Sequence, residues 1–197
     1  MDNIKIVGLT GGVGTGKTTV IEIIEKQFHI PVIVCDRLGK EVMEPGMPAY
    51  DRIIESFGNA VVDANGALDR NLLAKMIFEK PELNRVLSGI VHPLVLSEID
   101  HRIEKAKQEN DKWMVIESAI LFESGLDKKC DEIWAIYTKP EIRRERLKQS
   151  RGYSDEKITA MMNSQMSWEE TKAQVDRVIY NNDSIDEIAP QLEKFLV

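Results

Sequence analysis

The sequence predicts an α/β fold, a parallel sheet covered by helices, and three observations carry it. Short apolar runs of strand length alternate with helical patterns. A glycine-rich stretch, "GLTGGVGTGKTT", follows the first of these runs and opens a helix. A long helical segment with little strand character separates the second strand from the third.

Each element has its own justification. "IKIVGL" (Ile4 to Leu9) reads as the first strand, and "KTTVIEIIEKQF" (Lys17 to Phe28) sets Val20, Ile23, Ile24 and Phe28 at helical spacing. "PVIVC" (Pro31 to Cys35), "WMVIE" (Trp113 to Glu117), "EIWAIY" (Glu132 to Tyr137) and "DRVIY" (Asp176 to Tyr180) are further strands. A last helix is expected from about Ser184 to Leu196. Between the second and third strands, turns at "EPGMP" and "DANG" punctuate helices that should form a lobe over the sheet edge. A basic helix, a glycine turn and another helix start occupy Lys139 to Lys157. The whole chain, 1–197, reads as one domain: a core of about 1–36, 111–138 and 175–197, a helical lobe of about 37–110, and a lid of about 139–174.

Composition narrows the function. A hydrophobic fraction of 43% supplies a core, and a net charge of −7 disfavours a broad surface for nucleic acid or anionic membrane. An anionic ligand must therefore be held by a local cluster. Cys35 and Cys130 show no metal-like spacing, and the N-terminus lacks the pattern of a secretory signal. No run approaches the length of a membrane span. Reduced thiols and a cytoplasmic location are expected, with a monomer as the default state.

Gly11, Gly16, Lys17 and Thr18 satisfy G-x-x-x-x-G-K-[ST]. Glycines let the backbone N–H groups of Gly12, Val13, Gly14, Thr15, Gly16, Lys17, Thr18 and Thr19 converge on phosphate oxygens at a helix N-terminus. Lys17 reaches the terminal phosphates, and the Thr18 hydroxyl suits Mg²⁺. Nucleoside triphosphate binding follows.

The acceptor side is less direct. Asp36 ends the second strand, where a right-handed crossover returns to the edge of the sheet that carries the phosphate loop. It reads either as a proton acceptor for an attacking hydroxyl or as the cap of the helix "DRLGKEVM". Glu117 reads either as an acid that helps hold Mg²⁺ or as an ordinary polar strand end; Glu123 is a weaker candidate. The cluster Arg143, Arg144, Arg146, Lys148 and Arg151 is either a solvated face paired with Glu141 and Glu145, or a mobile lid that neutralises a transferring phosphoryl group. His92, before Pro93, reads as a helix-junction residue, and His29 and His101 as surface residues. "DANG" and "TKPE" imitate the switch and guanine-reading elements of a GTPase, but the latter ends in Glu141 where Asp is required.

In order along the chain, "GLTGGVGTGKTT", "CDRLGKEVMEPGMPAY", "FGNAVVDANGALDRNLLAKMIF", "IVHPLV", "AILFESGL" and "VDRVIYNN" resemble the dephospho-coenzyme A kinase family over nearly the full length. The resemblance implies ATP-dependent phosphorylation of the ribose 3′-hydroxyl of dephospho-CoA, the last step of coenzyme A synthesis, with ATP and Mg²⁺ bound. It implies a P-loop kinase fold, three-layer α/β/α, with a five-stranded parallel sheet, a helical substrate lobe and a lid. It favours Asp36 as the general base and sets Arg70 and His92, with Glu117 and Glu123, on the substrate side. Asn181 falls near the expected adenine pocket, and Arg146 and Arg151 are the lid arginines. Three positions depart from the family pattern: Val34 where a first carboxylate is usual, Ala119 for a proline, and Ser150 for a lid arginine. A different small-molecule P-loop kinase and a nucleotide switch are the alternatives.

Overall fold

The computed structural model describes residues 4–196; residues 1–3 and Val197, which the one-domain reading includes, lie outside them. The strands are β1 (Lys5–Thr10), β2 (Val32–Val34), β3 (Trp113–Glu117), β4 (Glu132–Tyr137) and β5 (Arg177–Tyr180). The helices are α1 (Lys17–Gln27), α2 (Cys35–Glu41), α3 (Pro48–Phe57), α4 (Arg70–Glu79), α5 (Glu82–Gln108), α6 (Pro140–Arg151), α7 (Asp155–Asn163), α8 (Trp168–Lys172) and α9 (Ile188–Phe195). The chain forms two compact units, one running up to Ile33 and from Ala106 onward, the other spanning Val34–Lys105.

In the first unit the strands form a five-stranded sheet in the order β2-β3-β1-β4-β5, with β1 central. β1 pairs in parallel with β3 (Leu9 opposite Glu117) and with β4 (Thr10 opposite Ala135), and β4 pairs in parallel with β5. The C-terminal ends of β1, β3, β4 and β5 therefore gather at one edge, where open α/β sheets bind ligands. Val7, Leu9, Val115, Ile116, Trp134, Ala135 and Ile179 are almost wholly buried, as strands covered on both faces require. Val20 and Ile24 of α1, with Ile188 and Leu192 of α9, are buried as well, and these two helices pack on one another. β5 is an edge strand, and Gln191 covers its exposed backbone. The Gln191 Oε1 accepts from the Tyr180 N–H (2.8 Å) and its Nε2 donates to the Tyr180 carbonyl (2.9 Å), imitating a neighbouring strand.

Neither Cys130 nor Cys35 is in a disulfide. Burial first, then the nearby Asp127 and Asp131 charges, pushes the Cys130 thiol up to about 12, so it is inert near neutral pH.

In the second unit, α5 runs unbroken through Pro93, so His92 lies within a helix and not at a junction. The proline ring cannot donate to the carbonyl four residues back, at Gly89. The "DANG" segment is a tight turn: the Asp63 carboxylate accepts from the Asn65 and Ala67 N–H groups, and Val62 bridges Leu68. Its aspartate is spent on its own turn, which removes the GTPase imitation. At the end of α5, Asn110 adopts a left-handed conformation and the Asp111 N–H donates to the Ala106 carbonyl, a Schellman closure.

At the start of β4, Glu132 is 17% exposed and meets Lys5 Nζ (2.6 Å), Arg177 Nε (3.1 Å) and Trp134 Nε1 (2.9 Å). Burial pushes its carboxyl up, but the hydrogen bonds from Lys5, Arg177 and Trp134 outweigh that and hold it at about 2, against an ordinary 4.5. The stabilisation from a depressed carboxylate is complete above pH 4.5 and is lost as pH falls towards 2. Glu132→Gln should lower stability at pH 7 by on the order of 3 kcal/mol and flatten the pH dependence across that acid window, measured by denaturant titration at pH 7 and pH 3.

Candidate active site

The phosphate loop links β1 to α1 and is built by hydrogen bonds that dispose of its carbonyls. Lys17 Nζ donates to the Gly11 carbonyl (2.7 Å) and Thr15 Oγ1 to that of Gly12 (2.9 Å). Arg143 Nε, from α6, donates to the Val13 carbonyl (2.8 Å). The Thr15 carbonyl accepts from Asn181 Nδ2 (2.8 Å) and from the buried Thr138 hydroxyl (3.1 Å), which follow β5 and β4. Backbone N–H groups are the other half of each loop peptide, and at a helix N-terminus they are the groups that meet anions.

Two glycines are required by close approach. Gly16 caps α1 with φ +88°, and a Cβ there would collide with Asn181 Nδ2. At Gly12, a Cβ would lie 2.5 Å from Arg143 Nη2, so the guanidinium sits directly on the loop backbone. Burial pulls the Arg143 pKa down, the mark of a desolvated cation. Guanidinium stays protonated in proteins, so this charge is available for an anion.

The sequence-expected residues fall as follows. Thr18 is exposed in the first turn of α1, and Glu117 is 5% exposed at the end of β3. Glu123 is exposed on the wall of a cavity of about 430 Å³, with Gly11, Gly12, Phe122, Gln165 and Trp168. Asn181, expected beside an adenine, is 3% exposed and its carboxamide is committed to the loop. Arg146 lies next to it, with Nη2 3.5 Å from Asn181 Oδ1. Arg151, the last residue of α6, is exposed with its guanidinium 5.9 Å from the centre of the Tyr153 ring.

Three more lie in the second unit. Asp36 is the second residue of α2, in its first turn; the N-cap is Val34, so the capping alternative does not describe it. Arg70 opens α4 and pairs with Glu44 (2.6 Å), while His92 is exposed on α5.

Gln165 is a loop partner outside the sequence-expected set, whereas Arg143 is expected only as one member of the basic cluster. Helical spacing could have separated the arginines. Arg143 and Arg146 share a face with the buried Leu147, whereas Arg144 and Lys148 lie on another, where both pair with Asp155 (3.6 and 2.8 Å). Gln165 carries no local signal, because its place depends on how two helices meet.

Gly16→Ala should displace Asn181 and force a left-handed alanine. The expected cost is about 2 kcal/mol or more, together with loss of the thermal shift given by ATP in the wild type, both read by thermal unfolding with and without ATP.

Comparison with known proteins accords with this geometry. The family model for dephospho-CoA kinase matches residues 5–187. A Bacillus cereus dephospho-CoA kinase is 38% identical over 191 residues, covering 97% of this chain and 95% of the relative. One from Carboxydothermus hydrogenoformans is 35% identical, covering 96% and 91%. Among solved structures, a Thermus thermophilus protein superposes with a TM-score of 0.82 at 28% identity, covering 98% and 97%. A Campylobacter jejuni dephospho-CoA kinase superposes with a TM-score of 0.73 at 23% identity, covering 97% and 94%, and shares the fold. The chain belongs to the dephospho-CoA kinase family.

Proposed function

We propose that this protein transfers the terminal phosphoryl group of ATP to the ribose 3′-hydroxyl of dephospho-CoA, completing coenzyme A. The observation that carries the reading beyond family membership is the loop itself. Four of its carbonyls are taken by Lys17, Thr15, Arg143 and Asn181, and the Val13 and Thr15 N–H groups are held by Gln165 and the Gly12 carbonyl, which leaves the other loop amides for a phosphate chain. That no helix among the described residues is long and apolar enough to cross a membrane accords with a cytoplasmic location.

Mg²⁺ suits the donors present. The Thr18 hydroxyl and the Glu117 carboxylate are hard oxygens, and no cluster of three or more His, Cys, Asp or Glu among the described residues could hold an ion. Magnesium usually takes one or two protein oxygens and fills its shell from phosphates and water. When bound, it neutralises charge on the phosphate oxygens.

In the reaction, the Gly12 to Thr18 backbone, apart from the Val13 N–H held by Gln165 and the Thr15 N–H held by the Gly12 carbonyl, and Lys17 hold the phosphates. Asp36 takes the proton of the 3′-hydroxyl as that oxygen bonds to phosphorus and the bond to the ADP oxygen breaks. Arg143 and Arg146 stabilise the charge on the transferring group from the loop-facing side of α6, with Arg151 at the outer end of the lid. Arg70, His92 and Glu123 are assigned to dephospho-CoA. Catalysis is then mainly positioning and charge stabilisation.

Asp36→Asn should keep ATP and dephospho-CoA binding while turnover drops about 10²-fold or more; near-wild-type turnover would remove Asp36 from the mechanism. Alanine at both Arg143 and Arg146 should slow transfer about 10²-fold, and an equal loss in Arg151→Ala would make it a third member of the set. ADP release with dephospho-CoA, AMP, GMP and shikimate tests the acceptor. Strong stimulation by any of the other three would overturn the assignment.

A further inference from the structure

Gln165 lies in the four-residue link, 164–167, between α7 and α8, and both neighbouring helix ends are closed. Ser164 ends α7 with its N–H on the Ala160 carbonyl, and Ser167 with Glu170 forms a capping box at the start of α8. From this frame the Gln165 side chain reaches the phosphate loop, where its Oε1 accepts from the Val13 N–H (2.8 Å). The Val13 carbonyl is held from the other side by Arg143 Nε (2.8 Å). One loop peptide residue is thus gripped by both arms of the lid, α6 and the α7–α8 link.

The chemistry of that contact orients the amide. A backbone N–H can only donate, so the half of the carboxamide facing Val13 must be the oxygen. The other half, Nε2, is a donor with no hydrogen-bonding partner among the described residues. Gln165 lines the 430 Å³ cavity together with Gly11, Gly12 and Arg143. A fixed neutral donor at the mouth of a phosphate loop fits one ligand group, an anionic phosphate oxygen.

We propose that Gln165 is a positioning residue for the transferred phosphoryl group. Its Oε1 is anchored on Val13, and its Nε2 is presented to a phosphate oxygen beside Gly12 and Arg143. The anchor removes the rotational freedom of the side chain, so the donor is in place before the nucleotide arrives. The inference rests on the kinase reading above, and wild-type turnover of dephospho-CoA in the same assay separates the failure of one from the failure of the other.

Two variants divide anchor from donor. Gln165→Met keeps the volume and removes both functions; turnover should fall about 10-fold or more with the melting temperature within ~2 °C of wild type. Gln165→Glu keeps an acceptor for the Val13 N–H but turns the donor into an anion. At pH 8 it should be slower than the Met variant, and relative to wild type its deficit should shrink as pH falls towards 5, where protonation restores an O–H donor. A purely structural anchor predicts the reverse order. A Glu variant that matches wild type at pH 8, or shows a deficit independent of pH, would overturn the proposal.

Discussion

A phosphate loop can point its N–H groups at a ligand only if its carbonyls are satisfied elsewhere, because each peptide carries both. The rest of the active site depends on this constraint. The Thr15 carbonyl is the anchor: Asn181, following β5, and Thr138, following β4, both donate to it. The Thr138 hydroxyl also meets the Asn181 carbonyl (3.0 Å), so two strand ends and the loop are tied at one point. All three residues are at most 5% exposed, and a polar knot at that depth persists only because its members satisfy one another.

From that knot the lid acquires its orientation. Arg143 and Arg146 reach the loop and Asn181, while Arg144 and Lys148 turn away to Asp155 on α7. The same helix therefore supplies charge to the site on one face and a surface ion-pair cluster on another. In a protein of net charge −7 an anionic ligand cannot be drawn by the overall field. The local groups gathered at the loop for the proposed anionic ligand are Lys17, the desolvated Arg143 and loop amides.

Much of this was legible in the residues. The strands at Trp113–Glu117 and Glu132–Tyr137 match their expected bounds, since apolar runs of that length bounded by polar turns have few other solutions. The sheet's C-terminal edge and the phosphate loop follow from the strand–glycine loop–helix order. The lid was legible as a basic helix, but its working face was not read from the cluster. Ser150 stands where the family carries an arginine, and it lies on the Arg143–Arg146 face with its hydroxyl on the Arg146 carbonyl (2.6 Å). The nearest arginine in sequence, Arg151, projects from a different part of the helix, towards Tyr153. His92 differs too: a proline usually marks a helix boundary, yet here α5 continues past it without the hydrogen bond to the Gly89 carbonyl that a proline cannot make.

The sequence by itself determined the donor chemistry, the fold class and the family, because these are written in contiguous residues: a spaced set of glycines with Lys17 and Thr18, and strands alternating with helices. Only the tertiary structure decided what holds the loop in shape. Asn181 and Gln165 are more than 150 positions from the peptides they bind (166 and 152 residues), and no local pattern encodes so distant a partner. Their roles exist only where β5 and the α7–α8 link are folded against the loop, since a hydrogen bond is set by distance and angle in space and not by order along the chain.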